Sequence, residues 1–262
     1  MVLTATQLLL DDNTTCQLYM SRHTNIHFYT LDITSLARDT PLQAFFHEAA
    51  YKASSNAVVH LSDALRVLLV WRFGGLYLDT DYVVLNDLSH YQNITVRTGG
   101  GGLAVTNNAF SFTARHPFLW LVMLHMEESY RPGCWTCIGP ELLSKSVRQY
   151  TSEGRAGDLS LVPMARSGNS LLSPLSPLCS VKHQHFRILT VNWQRSDQII
   201  DSPVPISFQE WREIFLQSSS VHFSGAVRAN LGWQLPDDPQ YSAYALLAPR
   251  YCPLAYYSVK HF

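Results

Sequence analysis

Apolar residues recur at helical spacing in three segments of the chain. Residues 40–53, "TPLQAFFHEAAYKA", predict one helix. Residues 61–75, "LSDALRVLLVWRFGG", predict a buried helix with Ser62 as its N-cap and two glycines at its end. Residues 117–130 predict a third helix, which begins at a proline.

Short apolar runs between these segments predict strands. Residues 26–36, "IHFYTLDITSL", predict a short strand followed by a loop. Residues 76–78, "LYL", predict a buried strand directly before two acidic residues. A further strand is predicted to end near His222. The alternation of strands and helices favours an α/β fold, and 262 residues of which 47% are hydrophobic suit one elaborated domain.

The composition excludes two classes of protein. The 19 basic and 20 acidic residues give a net charge of −1 without any basic run, so a nucleic-acid partner is not expected. No apolar run approaches the roughly 20 residues that a membrane helix needs. As given, the chain is expected to be soluble.

Five cysteines include one C-x-x-C pair, Cys134 and Cys137. A zinc site would need a second pair nearby, and a thioredoxin-like motif would have to open a helix after a strand. The surrounding "YRPGCWTCIGP" has the glycine and proline of a loop, so we expect structural thiols or disulfides. Two N-x-T sequons, at Asn13 and Asn93, are compatible with a secretory lumen.

Asp79 and Asp81 lie one residue apart where the predicted strand leaves the sheet. Two carboxylates held so close repel each other unless a cation lies between them, and hard divalent ions prefer oxygen ligands. Ligands also gather at the carboxyl ends of strands in α/β sheets. The pair therefore indicates a metal site, and the alternative is two solvated turn residues.

The segment "LSDALRVLLVWRFGGLYLDTDYVVL" resembles the sugar-nucleotide region of the α-1,4-glycosyltransferases. The resemblance continues in order through "NNAFSFTARHPF", "GPELLSKSV", "PISFQEW", the "VH" of residues 221–222 and "RYCP". It covers residues 26 to about 257, so the expected domains are a poorly matched N-terminal segment, 1–25, and a catalytic domain, 26–262.

The resemblance implies a GT-A-like fold, with a mixed, mainly parallel sheet flanked by helices and without the first strand region. It implies a retaining transferase that uses Mn²⁺ and a UDP-sugar to move a hexose, galactose or an N-acetylhexosamine, in α-1,4 linkage. The acceptor would be a galactose-terminated glycolipid or glycan. The family location implies the Golgi lumen, with membrane attachment through an N-terminal anchor that this chain does not include.

The resemblance also assigns roles to individual residues. Asp79, Asp81 and His222 would hold the metal, with Asp81 favoured as a direct ligand. Asp63 and Arg66, three residues apart on one helical face, would contact the donor together with the two aspartates; a simple intrahelical ion pair is the alternative. The residues implied in acceptor or sugar contacts are Asn107, Asn108, Gly139 and Pro140, which could equally be turn residues.

No general base stands out, so the catalytic residue is unknown, and we favour attack of the acceptor hydroxyl on the leaving-group face. Two other functions remain open. One is a degenerate transferase that binds glycans or a partner, since "FSG" after His222 departs from the family pattern. The other is a haloacid-dehalogenase-like phosphatase with Asp79 as nucleophile. That fold needs a downstream lysine and an acidic pair after a strand, whereas Asp237-Asp238 lie in the proline-flanked loop "QLPDDPQ".

Overall fold

The computed structural model describes residues 29, 31–80, 82–97, 104–154, 160–165, 187–190, 218–222 and 249–251. The helices are α1 (Ile33–Ala37), α2 (Gln43–His47), a 3₁₀ helix (Ala50–Ala53), α3 (Ala57–Phe73), α4 (Pro117–Ser129) and α5 (Pro140–Ser152). The strands are β1 (Gly75–Leu78), β2 (Tyr82–Val84), β3 (Ile94–Arg97), β4 (Val105–Phe112), β5 (Ser160–Ala165), β6 (Arg187–Thr190) and β7 (Ser218–His222). The first strand region and the domain boundary after residue 25 lie outside the described residues.

The single helix predicted over residues 40–53 is wrong. The segment forms α2 and then a 3₁₀ helix, and Ala49 between them has a left-handed backbone with φ 51°. An α-helix cannot continue through that conformation, so the apolar spacing spans a turn. The loop predicted before it contains α1, whose N-cap Asp32 accepts a hydrogen bond from the Ser35 amide at 3.1 Å.

The central helix α3 is longer than the sequence pattern indicates. It begins at Ala57 after Asn56, so Ser62 is inside the helix and is not its N-cap. The predicted end is confirmed, because Gly74 adopts φ 70° and its amide donates to the Val70 carbonyl at 2.8 Å. Most of its side chains are buried, as expected for a nearly all-apolar helix.

The sheet is mixed, as predicted, but parallel pairs are not in the majority. The strand order is β1-β4-β3-β5-β6-β7-β2. Parallel pairing joins β3 to β5, β5 to β6 and β6 to β7, whereas β1 with β4, β3 with β4 and β2 with β7 are antiparallel. The link between β3 and β4 is too short for a crossover helix, so these neighbours run antiparallel.

The two edge strands of this sheet, β1 and β2, are consecutive in sequence and are separated by residues 79–81 only. Four peptide steps from Leu78 to Tyr82 reach at most about 14 Å. Seven strands in a flat sheet would place its edges roughly 29 Å apart at the usual spacing. The sheet therefore curves until both edges meet at the Asp-Thr-Asp segment.

The main core lies between this sheet and the three long helices. Residues of α3, α4 and α5 pack with Phe110 and Phe112 of β4, and a smaller cluster around Val96 and Ala109 includes Tyr82 of β2. The buried strand predicted for residues 76–78 is instead partly exposed, since β1 is at the edge of the sheet and, among the described strands, pairs with β4 alone. No helix in the described part of the chain has the length and apolar character needed to cross a membrane.

Replacing Gly74 by alanine is expected to lower the free energy of unfolding by about 2–4 kcal/mol, because a Cβ there meets a left-handed backbone and a fixed neighbour. The added atom would lie 2.8 Å from the Ala114 amide nitrogen. Gly154→Ala is the matched control, since Gly154 also has positive φ (79°) but open space around it. Urea unfolding measures both variants, and equal losses would contradict the steric part of this explanation.

Candidate active site

Arg66 of α3 is a buried cation that joins two carboxylates. Its Nη2 lies 3.3 Å from Asp63 Oδ1 and its Nη1 lies 3.0 Å from Asp79 Oδ1. Nη1 also donates to the Asn107 carbonyl at 2.9 Å, while Nη2 and Nε donate to the Oγ and the carbonyl of Ser62. The guanidinium thereby links α3 to β4 and to the end of β1, and its geometry is fixed from several sides.

Tyr77 fixes the same Asp79 carboxylate from β1. Its hydroxyl donates to Asp79 Oδ1 at 2.6 Å, and the Arg66 guanidinium carbon lies 4.6 Å from its ring centroid. Burial, with the Arg66 cation opposing it in part, raises the pKa of Tyr77 far above its usual range, so the hydroxyl stays a donor. Sequence analysis missed this residue. The alternation of side chains along a strand could have indicated it, because Tyr77 and Asp79 are two residues apart and residues at that spacing face the same side of a strand.

Asp63 lies deeper than Asp79, with 6% of its side chain exposed compared with 28%. Its Oδ1 accepts a hydrogen bond from Asn107 Nδ2 at 2.7 Å. Burial raises the pKa of Asp63, and the Arg66 cation and the Asn107 hydrogen bond oppose that rise. The intrahelical ion pair with Arg66 is present. Both side chains also reach Asn107, so they face the same place, as their spacing predicts.

Gly139 brings the start of α5 against Asp63. Gly139 and Pro140 open this helix as the sequence predicts, with Gly139 at the N-cap position. A Cβ on Gly139 would lie 2.9 Å from Asp63 Oδ2 and 3.4 Å from Asn107 Nδ2. Only glycine leaves room for this approach, so Gly139 forms one wall of the cluster.

The Asn108 side chain makes hydrogen bonds inside the protein and is not an exposed amide. Its Oδ1 accepts hydrogen bonds from the Tyr82 hydroxyl at 3.1 Å and from Thr106 Oγ1 at 2.5 Å. Its carbonyl accepts from the Asp79 amide at 2.8 Å. Asn108 therefore connects β4 to both sides of the Asp-Thr-Asp segment, which positions that segment from beneath.

Asp81 lies outside the described residues, and for His222 the structure describes the strand but not the side chain. His222 ends β7, as predicted, and pairs with Tyr82 of β2. The antiparallel register therefore places the His222 backbone beside the residue that follows Asp81. Among the described side chains, which include neither Asp81 nor the His222 imidazole, no group of three or more His, Cys, Asp or Glu could hold a metal.

The remaining sequence candidates lie partly outside the described residues. Cys134 and Cys137 are both described as free and partly exposed thiols, so they are not joined to each other by a disulfide. The segment "PISFQEW" and the acidic pair Asp237-Asp238 fall outside the described ranges. The phosphatase alternative therefore gains no support from the geometry.

Two family models match consecutive parts of the chain. The "Glycosyltransferase sugar-binding region containing DXD motif" matches residues 2–98, and the "Alpha 1,4-glycosyltransferase conserved region" matches residues 111–259. The first region contains Asp63, Arg66 and the Asp-Thr-Asp segment, and the second contains Gly139 and His222.

Relatives that are named as transferases match about half of the chain. A lactosylceramide 4-alpha-galactosyltransferase from Rattus norvegicus is 37% identical over 129 residues, which are 49% of this chain and 35% of that protein. The human protein of the same name is 36% identical over 129 residues, with 36% of its length covered. A human alpha-1,4-N-acetylglucosaminyltransferase is 30% identical over 130 residues, 50% of this chain and 37% of that protein. The matched region thus spans little more than a third of these relatives, and no solved structure matches the chain.

Because burial raises the pKa of Asp63, the folded protein keeps this proton to higher pH than the unfolded chain does. Its contribution to stability is full below the unfolded pKa of about 3.8 and is lost as pH rises through the folded pKa. The free energy of unfolding, measured with urea, is expected to fall less between pH 4 and pH 7 in Asp63→Asn than in the parent.

Asp32→Asn serves as the control, because Asp32 is expected to affect the pH dependence of stability in the opposite direction. Hydrogen bonds from Ser35 lower the pKa of Asp32. That carboxylate stabilises the fold above its unfolded pKa, and the effect is lost on acidification. A pH profile of Asp63→Asn that is as steep as the parent's would show that the Asp63 carboxylate does not titrate as the site geometry requires.

Proposed function

This chain belongs to the α-1,4-glycosyltransferase family, and we propose that it is a retaining, metal-dependent hexosyltransferase with a GT-A-type fold. It moves galactose or an N-acetylhexosamine from a UDP-sugar in α-1,4 linkage to a galactose-terminated glycolipid or glycan. The names of the relatives support the α-1,4 linkage and the restriction of the donor sugar to these two kinds. We place it in the Golgi lumen, attached through an N-terminal anchor in the full-length protein.

The observation that supports this proposal best is the fixed Asp79 carboxylate where the two sheet edges meet. Two hydrogen-bonded partners, Arg66 and Tyr77, hold Asp79 Oδ1, and 28% of the side chain remains exposed. The segment then leads to Asp81, and the His222 backbone lies across from Tyr82. A carboxylate held rigidly at a strand end and open on one side suits a charged ligand at that edge.

The acidic residues of this segment would suit a divalent cation such as Mn²⁺. Asp63 and Asp79 carry two carboxylates against one guanidinium, and Asp81 adds a third acidic group two residues along the chain. Asp79, Asp81 and His222 would supply the oxygen and imidazole ligands that Mn²⁺ accepts, with Asp81 the main direct ligand. When bound, the ion stabilises the negative charge that develops on the UDP phosphate as the sugar leaves.

The buried residues behind Asp79 would hold the donor in a fixed orientation. Asp63 and Arg66 would contact the uridine or the donor sugar, and Asn107 with Gly139 would border the sugar. Their mutual hydrogen bonds fix these groups before the donor arrives, so little ordering remains for the bound state.

For retention we favour attack by the acceptor hydroxyl on the face that the UDP leaves, with the phosphate accepting its proton. Each candidate carboxylate at the cluster already has a partner or a proposed ligand: Asp63 pairs with Arg66 and Asn107, and Asp79 with Arg66 and Tyr77. None is left as a free nucleophile within the described residues. Trapping a glycosyl adduct on any Asp or Glu would disprove this route.

Asp81→Asn in the full-length protein is expected to reduce Mn²⁺-dependent transfer by about 100-fold or more, because a direct metal ligand loses its charge. The assay compares UDP-galactose, UDP-N-acetylgalactosamine and UDP-N-acetylglucosamine as donors, and calorimetry follows UDP binding with and without Mn²⁺. Asp87→Asn is the control, since exposed Asp87 only holds Ser89 in a local turn. If Asp81→Asn transfers as well as the parent, the metal assignment is wrong.

Tyr77→Phe is expected to raise the KM for the UDP-sugar several-fold with a smaller effect on kcat, since it removes one hydrogen bond that orients Asp79. The ring contact with Phe110, whose centroid lies 5.4 Å away, is retained in this variant. Tyr77→Ala, which loses both, should also lower thermal stability. Unchanged donor kinetics in Tyr77→Phe would show that Asp79 does not need this partner.

A further inference from the structure

Trp135 is the most exposed aromatic side chain in the described part of the chain, with 64% of its surface accessible. Large aromatic side chains usually bury most of their surface, and Trp71 and Trp120 here lie against each other with centroids 5.1 Å apart. An indole left in solvent forgoes this stabilisation. Its position on a loop makes a binding role the natural explanation.

The loop that presents Trp135 is held firmly on both sides of it. His60 Nε2 donates to the Cys134 carbonyl at 2.6 Å, and His60 is fully buried in α3. The Gly139 amide donates to the Thr136 carbonyl at 3.0 Å, and Ile138 is in the core with 1% exposure. The exposure of the indole is therefore a feature of an anchored backbone, which suits a preorganised contact surface.

The same loop borders the proposed donor site. It runs along α3 from His60, whose ring holds Cys134, to Asp63, against which Gly139 packs. Trp135 is one residue from the first of these anchors and four residues from the second. The backbone on either side of Trp135 therefore lies against α3 at His60 and at Asp63, one helical turn apart.

We propose that Trp135 is the platform of an acceptor subsite, on which the terminal galactose ring stacks. The idea rests on the proposed function. In a β-galactoside the hydroxyl at C4 is axial, so the opposite ring face presents the C–H groups of C3, C4 and C5. This apolar face matches the face of an indole. A galactose stacked in this way directs its C4 hydroxyl, the group that an α-1,4 transferase glycosylates, away from the indole, so the donor sugar would lie on the side of the galactose opposite Trp135.

Two disaccharides isolate this geometry. Methyl β-lactoside and methyl β-cellobioside differ only in the configuration at C4 of the terminal sugar. In the glucose epimer the C4 hydroxyl is equatorial, so it does not make one ring face more polar than the other. Stacking of either face then gives this hydroxyl no preferred direction. Wild-type protein saturated with UDP and Mn²⁺ is expected to bind the lactoside about tenfold more tightly than the cellobioside.

The test uses the full-length protein with Trp135→Ala, Trp135→Phe and the control Phe73→Ala, which removes an aromatic ring that is 51% exposed at the far end of α3. Calorimetry measures the affinity for each disaccharide and, separately, for UDP with Mn²⁺. Trp135→Ala should weaken lactoside binding roughly tenfold and raise the acceptor KM to match, with kcat changed less. Trp135→Phe should recover most of this loss, and Phe73→Ala should resemble the parent.

The affinity for UDP and the melting temperature separate binding from folding. Both should stay unchanged in Trp135→Ala; a parallel loss of UDP affinity would overturn the subsite, since it would show that the loop had moved. Unchanged lactoside affinity in Trp135→Ala would also overturn it, even if the parent transfers. A parent that binds lactoside through Trp135 but transfers no sugar supports the subsite and rejects the proposed function. A parent that binds neither lactoside nor UDP rejects both.

Discussion

A span of three residues has to connect the two edges of a seven-stranded sheet. Because Asp79, Thr80 and Asp81 are the whole of this connection, the sheet must curve, and the curvature brings β1 and β2 together at one place. Asn108 then supports this place from β4, through its carbonyl to Asp79 and its amide oxygen to Tyr82. The position of Asp79 at this junction is therefore a consequence of strand order.

The second requirement is a positive charge beneath the segment, and Arg66 provides it. Burying Asp63 without a partner would cost several kcal/mol, and removing one member of a buried pair commonly costs about 3–5 kcal/mol. The ion pair alone is weak evidence of stability, since an apolar replacement of similar volume is often as stable. The presence of three charged groups beside a glycine that makes room for one of them supports the proposed donor site.

Sequence reasoning located most of the elements that bear the site, because helix ends and strand ends have local causes. Gly74, Pro117 and Gly139-Pro140 mark boundaries that the structure confirms. It failed where the cause was tertiary. Helical spacing over residues 40–53 did not reveal the left-handed Ala49, and the apolar "LYL" did not reveal an edge strand. The hydrogen bond of Tyr77 and the hydrogen bonds by which Asn108 supports the Asp-Thr-Asp segment depend on strand pairing that no local pattern encodes.

The pairing of Tyr82 with His222 also sets an order of events during synthesis. The strand that follows the Asp-Thr-Asp segment finds its sheet partner 140 residues later in the chain, and loop closure over such a distance is slow. While the ribosome is still translating the residues between them, β2 has an unpaired edge, whereas β1, α3 and β4 can already pack. We therefore expect a nascent chain to assemble its Arg66 cluster early and to pair β2 only after translation has passed His222, so only a chain translated that far has both sides of the proposed site.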